Sequence, residues 1–273
     1  MRRIVLILMC IAMVPFAKAQ KSVSPYEWEW TRDGIWTGAG IAVSGLGLYL
    51  ITQKEGITEA ELAGIVADRD RINFLDRWVA GNDSESANKI SDHPFALSFA
   101  MPFVLLFDDE VNDHALQVMG LYIESLATTA AIYTLTAGLV NRSRPYVYSE
   151  DVALDRRLRN NGQRSFYSGH VAATATATFF AAKAYSDFNP DARGKGWIWA
   201  GAAALPAAVG YFRLQAGQHF LTDNLLGYAL GATAGYFIPE LHKIKGDHID
   251  LFPGGGRTPD GISYNSLTFR LTF

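Results

Sequence analysis

Residues 212–223 read FRLQAGQHFLTD, Phe212 to Asp223, and this stretch decides how the rest of the chain is read. His219 and Asp223 stand four apart, so on a helix they share a face; Asp223 would then accept the imidazole Nδ1–H and leave Nε2 free as a nucleophile. Arg213 lies six residues before His219, close enough to lean over the same spot, and a guanidinium fork fits phosphate oxygens better than an ammonium does. Two earlier islands supply what such a centre still needs. Arg144-Pro145 offers a second fork. Ser168-Gly169-His170 precedes the apolar run Val171 to Ala182, so Gly169 lets the backbone approach an anion at a helix N-terminus, and His170 stands where a general acid would protonate a leaving oxygen. Two arginines, two histidines and one carboxylate in this order are the parts needed to hold a phosphate and attack it.

These blocks resemble the type-2 phosphatidic acid phosphatase and vanadium haloperoxidase superfamily. Members carry a lysine, six residues and Arg-Pro; then Pro-Ser-Gly-His; then Ser-Arg, five residues, His, three residues and Asp. Here the blocks read Ala137 to Pro145 (AGLVNRSRP), Ser165 to His170 (SFYSGH) and Phe212 to Asp223, over a region from Ala115 to Pro239. Three ordered blocks are specific where any one alone would be weak. The resemblance implies His219 as a nucleophile that forms a phosphohistidine, Asp223 as its orienter and His170 as the acid. Arg144, Arg213, Ser168 and the Gly169 backbone would hold the phosphate oxygens, with no metal and no cofactor. Tyr167 replaces the family proline and Phe212 the serine, neither of which removes a charge. Ala137 replaces the lysine. It lies seven residues before Arg144, two turns away on one helix face, and losing one preorganised charge from such a site costs about 3 kcal/mol of transition-state stabilisation. Arg142 and Arg164 are the candidates to substitute. The implied activity is hydrolysis of a lipid phosphate monoester or diphosphate; the alternatives are a vanadate-dependent haloperoxidase and a non-catalytic lipid-phosphate binder with a degraded site. Headgroup choice is expected in loops such as Val147 to Arg164.

The 273-residue chain reads as one helical domain at 20–245 between a leader at 1–19 and a tail at 246–273. Arg2 and Arg3, the apolar stretch Ile4 to Phe16, and Ala17-Lys18-Ala19 have the form of a secretory signal cleaved after Ala19. Its removal takes three cations and no acid, moving the net charge from −3 to −6, which speaks against a nucleic-acid partner. Cys10, the single cysteine, leaves with the signal, so neither a disulfide nor thiol chemistry is expected.

Six weakly charged apolar segments follow: Gly34 to Thr52, Pro94 to Phe107, Ala115 to Val140, Ser165 to Ala182, Trp197 to Phe212 and Asn224 to Pro239. A bilayer span takes about 20 apolar residues; the first, third and fourth reach that length, the third despite Glu124. Their Gly, Ala and Thr content suits helix packing in lipid, although mean hydropathy is only +0.06. The fold expected is an all-α, membrane-associated bundle of about six helices with a short C-terminal β-hairpin. Membrane and lipid phosphate are the expected partners, and the inner membrane with a periplasm-facing site is the expected location; a soluble periplasmic protein is the alternative. Parity requires one early segment not to span, and Pro94 to Phe107 is the shortest. Asp68 to Arg77 alternates charge as a solvated helix does, and Asp108 to His114 reads as a polar turn rather than a metal loop. Leu267, Phe269, Leu271 and Phe273 alternate with polar residues as a strand would, with His248 to Phe252 as partner and Pro253 to Gly261 as the turn.

Overall fold

The computed structural model describes residues 23–244, together with the backbone of 248–257 and 263–272. The leader, its cleavage site and Cys10 lie outside the described residues. The helices are α1 (Trp30–Gln53), α2 (Glu59–Ala67), α3 (Glu85–Ser98), the short α4 (Met101–Val104) and α5 (Asp109–Asn112), α6 (Ala115–Leu139), α7 (Leu154–Leu158), α8 (Gly169–Phe188), α9 (Lys195–Gln215) and α10 (Leu221–Leu241). The fold is all-α. Behind the helices, β1 (His248–Arg257) pairs antiparallel with β2 (Ser263–Thr272), Leu251 opposite Phe269. Pro253 to Arg257, expected as turn, is strand, and the fold class rests on the helices alone.

Local chemistry sets the helix limits. Thr58 and Glu61 close a capping box on α2, and Ser84 Oγ accepts the Ala87 N–H at the start of α3, each satisfying an orphan donor of a first turn. Between α9 and α10 the chain turns at Gly217, whose φ is +63°, and a Cβ there would fall 1.7 Å from the Asn82 carbonyl. Only glycine fits both demands.

The core of the bundle is α8. It packs on α6, α9 and α10, and its approach to α10 runs along a stripe of glycines. Cβ atoms at Gly227, Gly231 and Gly235 would lie 2.5, 2.0 and 2.4 Å from the carbonyls of Ser168, Ala172 and Thr176. Their four-residue spacing puts them on one face, so the two backbones touch. Thr176 Oγ1 reaches both Thr129 Oγ1 on α6 at 2.8 Å and the Gly231 carbonyl at 3.2 Å, pinning the three helices at mid-height.

Among the described residues, three helical stretches are long and apolar enough to cross a membrane: Trp30–Gln53, Glu85–Phe107 and Ala115–Leu139. The second corrects the sequence reading of its length, because Pro94 sits inside α3 and the helical stretch begins nine residues earlier than the apolar run, at Glu85. Ser165 to Ala182, expected to qualify, is not among them. Only 11% of the apolar window of α1 is buried; Ile35, Trp36, Ile41, Leu46 and Leu48 face outward, as do Phe103, Val104 and Phe107. An outward apolar surface of this kind needs lipid or a partner to cover it, and it marks the protein as membrane-associated. α1 and α6 run side by side in the same direction, Gly40 against Ala127, Gly47 against Thr134 and Leu50 against Gly138.

The charged stretch Asp68 to Arg77 is not the solvated helix expected: it is broken into two 3-10 turns, the second beginning at Arg77. Asp68–Arg71 is a 3-10 turn with an exposed ion pair of 3.2 Å, whereas Asp76 is completely buried.

Candidate active site

The three motif blocks meet at one end of the bundle, where α6 has just ended, α8 begins, α9 ends and α10 begins. Arg144 is buried in the loop after α6, its backbone N–H donating to the Gly162 carbonyl at 2.7 Å. Its Nη1 donates to Gln218 Oε1 and its Nε to the Arg164 carbonyl at 3.3 Å. Pro145 follows at once and ends any continuation toward Arg144. Arg213, also buried, stands in the last turn of α9 and donates through Nη1 to Asn88 Oδ1 at 2.8 Å and Ser91 Oγ at 3.4 Å, both on α3.

His219 corrects the first expectation drawn from spacing. It is not on a helix, since α10 begins at Leu221. The His219 imidazole is buried, and its Nδ1 lies 2.6 Å from the Ser165 carbonyl. A backbone carbonyl only accepts, so Nδ1 carries the proton and Nε2 the lone pair. Asp223 therefore does not orient the ring directly. Its Oδ2 accepts from Ser165 Oγ at 2.6 Å and from the Phe220 N–H at 3.0 Å, bracing the segments on both sides of the ring. Ser165 carries the contact that the i, i+4 argument assigned to Asp223. Burial, reinforced by Arg144 and Arg213 nearby, holds the imidazole well below its ordinary pKa, so His219 is neutral at physiological pH.

Ser168 is the N-cap of α8 and Gly169 its first residue. The Ser168 N–H donates to the Asp223 carbonyl at 3.1 Å, which ties the two helix starts together. A Cβ on Gly169 would strike the Tyr133 ring at 2.6 Å. His170 leans on the Phe95 ring, centroids 4.1 Å apart, with Nε2 3.3 Å from Asp92 Oδ1. Burial and Arg213 push its pKa down to about 4, against the pull of Asp92. Burial likewise brings Arg144 down to about 10, which leaves it cationic.

The two proposed substitutes for the missing lysine part company. Arg142 donates through Nη1 to Asp223 and to Thr222 Oγ1 at 3.2 Å, and through Nη2 to Asp76 Oδ2 at 2.7 Å; its guanidinium lies 4.7 Å from the Phe220 ring centroid. It is committed to two buried carboxylates. Arg164 lies beside Arg144, and its Nε is buried without a hydrogen-bond partner. Ser168 Oγ and Arg213 Nε are buried and unpartnered in the same way. Three orphaned donors on the segments that meet at this end of the bundle are an arrangement an oxyanion would satisfy, since buried polar groups are otherwise paired. Ala137 is itself buried.

Sequence reasoning missed Asp76, Asn88, Ser91 and Asp92. All precede α6, outside the motif blocks, in a stretch that reads as solvated surface. Asp76 accepts from Thr222 through both the N–H at 2.9 Å and Oγ1 at 2.6 Å, so it holds the first turn of α10 as well as Arg142.

Residues 119–247 match the family model described as the PAP2 superfamily. Among solved structures, the crystal structure of Aquifex aeolicus LpxE is similar over 62% of this chain and 97% of that one, at 21% identity and a TM-score of 0.44. No curated protein matches the chain. All three motif blocks lie inside the matched region and their side chains gather at one end of the bundle, so residues 119–247 are similar to the PAP2 superfamily, the type-2 phosphatidic acid phosphatase group, in sequence and in the placing of its motifs.

Proposed function

We propose that this protein hydrolyses a lipid phosphate monoester or diphosphate through a phosphohistidine on His219. The match to the PAP2 superfamily supports a phosphatase acting on lipid phosphates; the residue roles, the covalent route and the choice of lipid are our reading. The observation that carries it is the set of orphaned donors on Ser168, Arg213 and Arg164, at the same end of the bundle as an imidazole whose Nδ1 is fixed by Ser165.

The phosphate would lie between Arg144, Arg213 and Arg164, with Ser168 Oγ and the first N–H groups of α8 on its remaining oxygens. The Nε2 lone pair attacks phosphorus, and the P–O bond to the lipid breaks as His170 gives its proton to the leaving oxygen. The Nδ1–H stays with the ring, and its bond to the Ser165 carbonyl steadies the positive charge that develops. Water then attacks the phosphohistidine, His170 taking its proton, and inorganic phosphate leaves. In the empty site His170 is neutral; a bound phosphate dianion raises its pKa by adding the opposite charge beside it, so substrate binding arms the acid. Phosphate release from detergent-dispersed lipid phosphates, with His219→Ala as the blank, tests the reading. Binding of lipid phosphate without turnover would leave a degraded site, and bromide oxidation with added vanadate in place of hydrolysis would favour the haloperoxidase.

A further inference from the structure

At the opposite end of the bundle, three titratable side chains from three helices face one another with no role in the chemistry above. Asp33 is one turn into α1, Glu124 is on α6, and His242 directly follows α10. All three are buried, at 1%, 3% and 6% exposure. His242 Nε2 lies 3.2 Å from Asp33 Oδ1 and 3.5 Å from Glu124 Oε2, and one ligand atom from each residue falls within 4.8 Å of the others. Asp223 and His242 are 19 residues apart along α10, so about 28 Å of helix, at 1.5 Å per residue, separates this cluster from the phosphate cradle.

The polar inventory of the cluster does not close. His242 Nδ1 lies 2.8 Å from the Ile238 carbonyl and must donate to it, so a neutral ring turns its Nε2 lone pair toward two carboxylates. Nε2 and Glu124 Oε2 are both buried without a hydrogen-bond partner. Asp33 is served from outside, by Arg32 Nε to Oδ1 at 2.5 Å and by the Glu29 N–H to Oδ2 at 2.7 Å. Trp28 covers the far side, its ring stacked over His242 at 6.3 Å.

We propose that Asp33, Glu124 and His242 bind a divalent transition-metal ion. In a tetrahedral site with bonds of about 2.0–2.1 Å, neighbouring ligand atoms stand about 3.3 Å apart; the separations of His242 Nε2 from Asp33 Oδ1 and Glu124 Oε2, 3.2 and 3.5 Å, bracket that edge. An imidazole whose other nitrogen is held by a backbone carbonyl is the usual metal-binding tautomer. One imidazole with two carboxylates suits zinc or manganese rather than calcium, which takes six to eight oxygens. Two negative charges balance a 2+ ion in a place where unbalanced charge is expensive. The ion would tie α1, which otherwise lies against α6 with most of its surface outward, to the end of α10.

The test uses the full chain purified in detergent, stripped with a chelator and reloaded separately with Zn²⁺, Mn²⁺ and Co²⁺. We expect about one ion per chain by elemental analysis, a higher Tm on loading, and visible Co²⁺ bands of a low-coordinate site. Glu124→Gln and His242→Ala should each weaken binding by about tenfold or more, while His219→Ala retains the ion and the spectrum. If a cluster variant fails to fold, the wild-type Co²⁺ spectrum and stoichiometry still decide. No uptake by the stripped wild type would overturn the proposal and leave an imidazolium held by two carboxylates. Loss of uptake in His219→Ala would also overturn it, by moving the ion to the phosphate site.

Discussion

Replacing Arg142 and Arg164 separately by glutamine separates a scaffold from a phosphate ligand. Arg142 bridges Asp76 and Asp223, whose side chains have no exposure at all, while its own is 26% exposed. Glutamine there leaves two buried carboxylates with neutral donors only. Breaking a buried pair in this way costs about 3–5 kcal/mol; partial access of water to Arg142 puts the expected loss near the lower end, about 3 kcal/mol. At about 2–4 °C per kcal/mol for a domain of this size, Tm should fall by about 6–12 °C, and activity should fall with it because α10 loses its anchor. Arg164→Gln removes a charge whose Nε has no partner in the empty site, so Tm should move by no more than about 2 °C. If Arg164 stands in for the lysine absent at Ala137, kcat/KM should drop about 10²–10³-fold, the usual effect of deleting one preorganised donor. Thermal unfolding in detergent and phosphate release from one lipid phosphate measure the two quantities on the same preparations. The reverse pattern, a folded but inactive Arg142→Gln beside an unfolding Arg164→Gln, would refute the division of roles.

Four further outcomes are expected. Rapid quenching with labelled substrate should trap an acid-labile, base-stable phosphoprotein that His219→Ala cannot form; turnover at the wild-type rate by that variant would remove His219 from the mechanism. Asp92 pulls the His170 pKa upward, so Asp92→Asn should lower it, and the alkaline limb of the kcat profile, where the acid loses its proton, should move to lower pH; a shift to higher pH would contradict His170 as the acid. Gly169→Ala must push the Tyr133 ring away from a contact of 2.6 Å and should reduce kcat/KM by more than about tenfold, on a scale of about 1.4 kcal/mol per decade, while wild-type activity would mean that the start of α8 does not approach the phosphate. Cysteines at the exposed positions Glu150, near the site, and Asp191, in the turn between α8 and α9, should react with a membrane-impermeant maleimide from opposite sides of the membrane; labelling of both from one side would remove the bundle from the bilayer.

How much the sequence could say depended on how local the physics is. The helices α6, α8, α9 and α10 were legible because apolar runs such as Ala115 to Val140 and Trp197 to Phe212 depend on near neighbours alone, whereas the short α7 fell in the stretch Val147 to Arg164 that reads as a loop. The gathering of Arg144, His170, Arg213 and His219 at one end was legible from motif order. The wiring between them was not. Spacing placed Asp223 against His219 on the premise of a continuous helix, but α10 begins only at Leu221, after Phe220 in extended backbone, and with His219 outside the helix that carboxylate meets Ser165 instead. Asp76 and Asp92 were hidden for another reason. Their partners lie 66 or more residues along the chain, and a charge that pairs at such range looks the same in sequence as one that faces water.

The two ends of the bundle also constrain which side of the membrane the chemistry faces. Tyr26 bridges Lys243 just past the end of α10, and Lys54 Nζ, just past α1, reaches the Val140 carbonyl at 2.6 Å. The chain therefore enters at the end remote from His219, rises along α1, returns along α3 and α4, and rises again along α6 to Arg144. Omitting Pro94 to Phe107 from the spans was the escape from parity that the sequence offered, and it closes if the 23-residue stretch Glu85–Phe107, long and apolar enough to cross, does so. With those three stretches across the bilayer, Tyr26 and Arg144 face opposite sides. A leader that carries Tyr26 outward would turn the phosphate cradle inward, and a cradle facing outward requires Tyr26 to stay inside. Labelling of Glu150→Cys from outside would thus exclude a translocated N-terminus for the embedded protein, and its protection until the inner membrane is broken would exclude a periplasmic site.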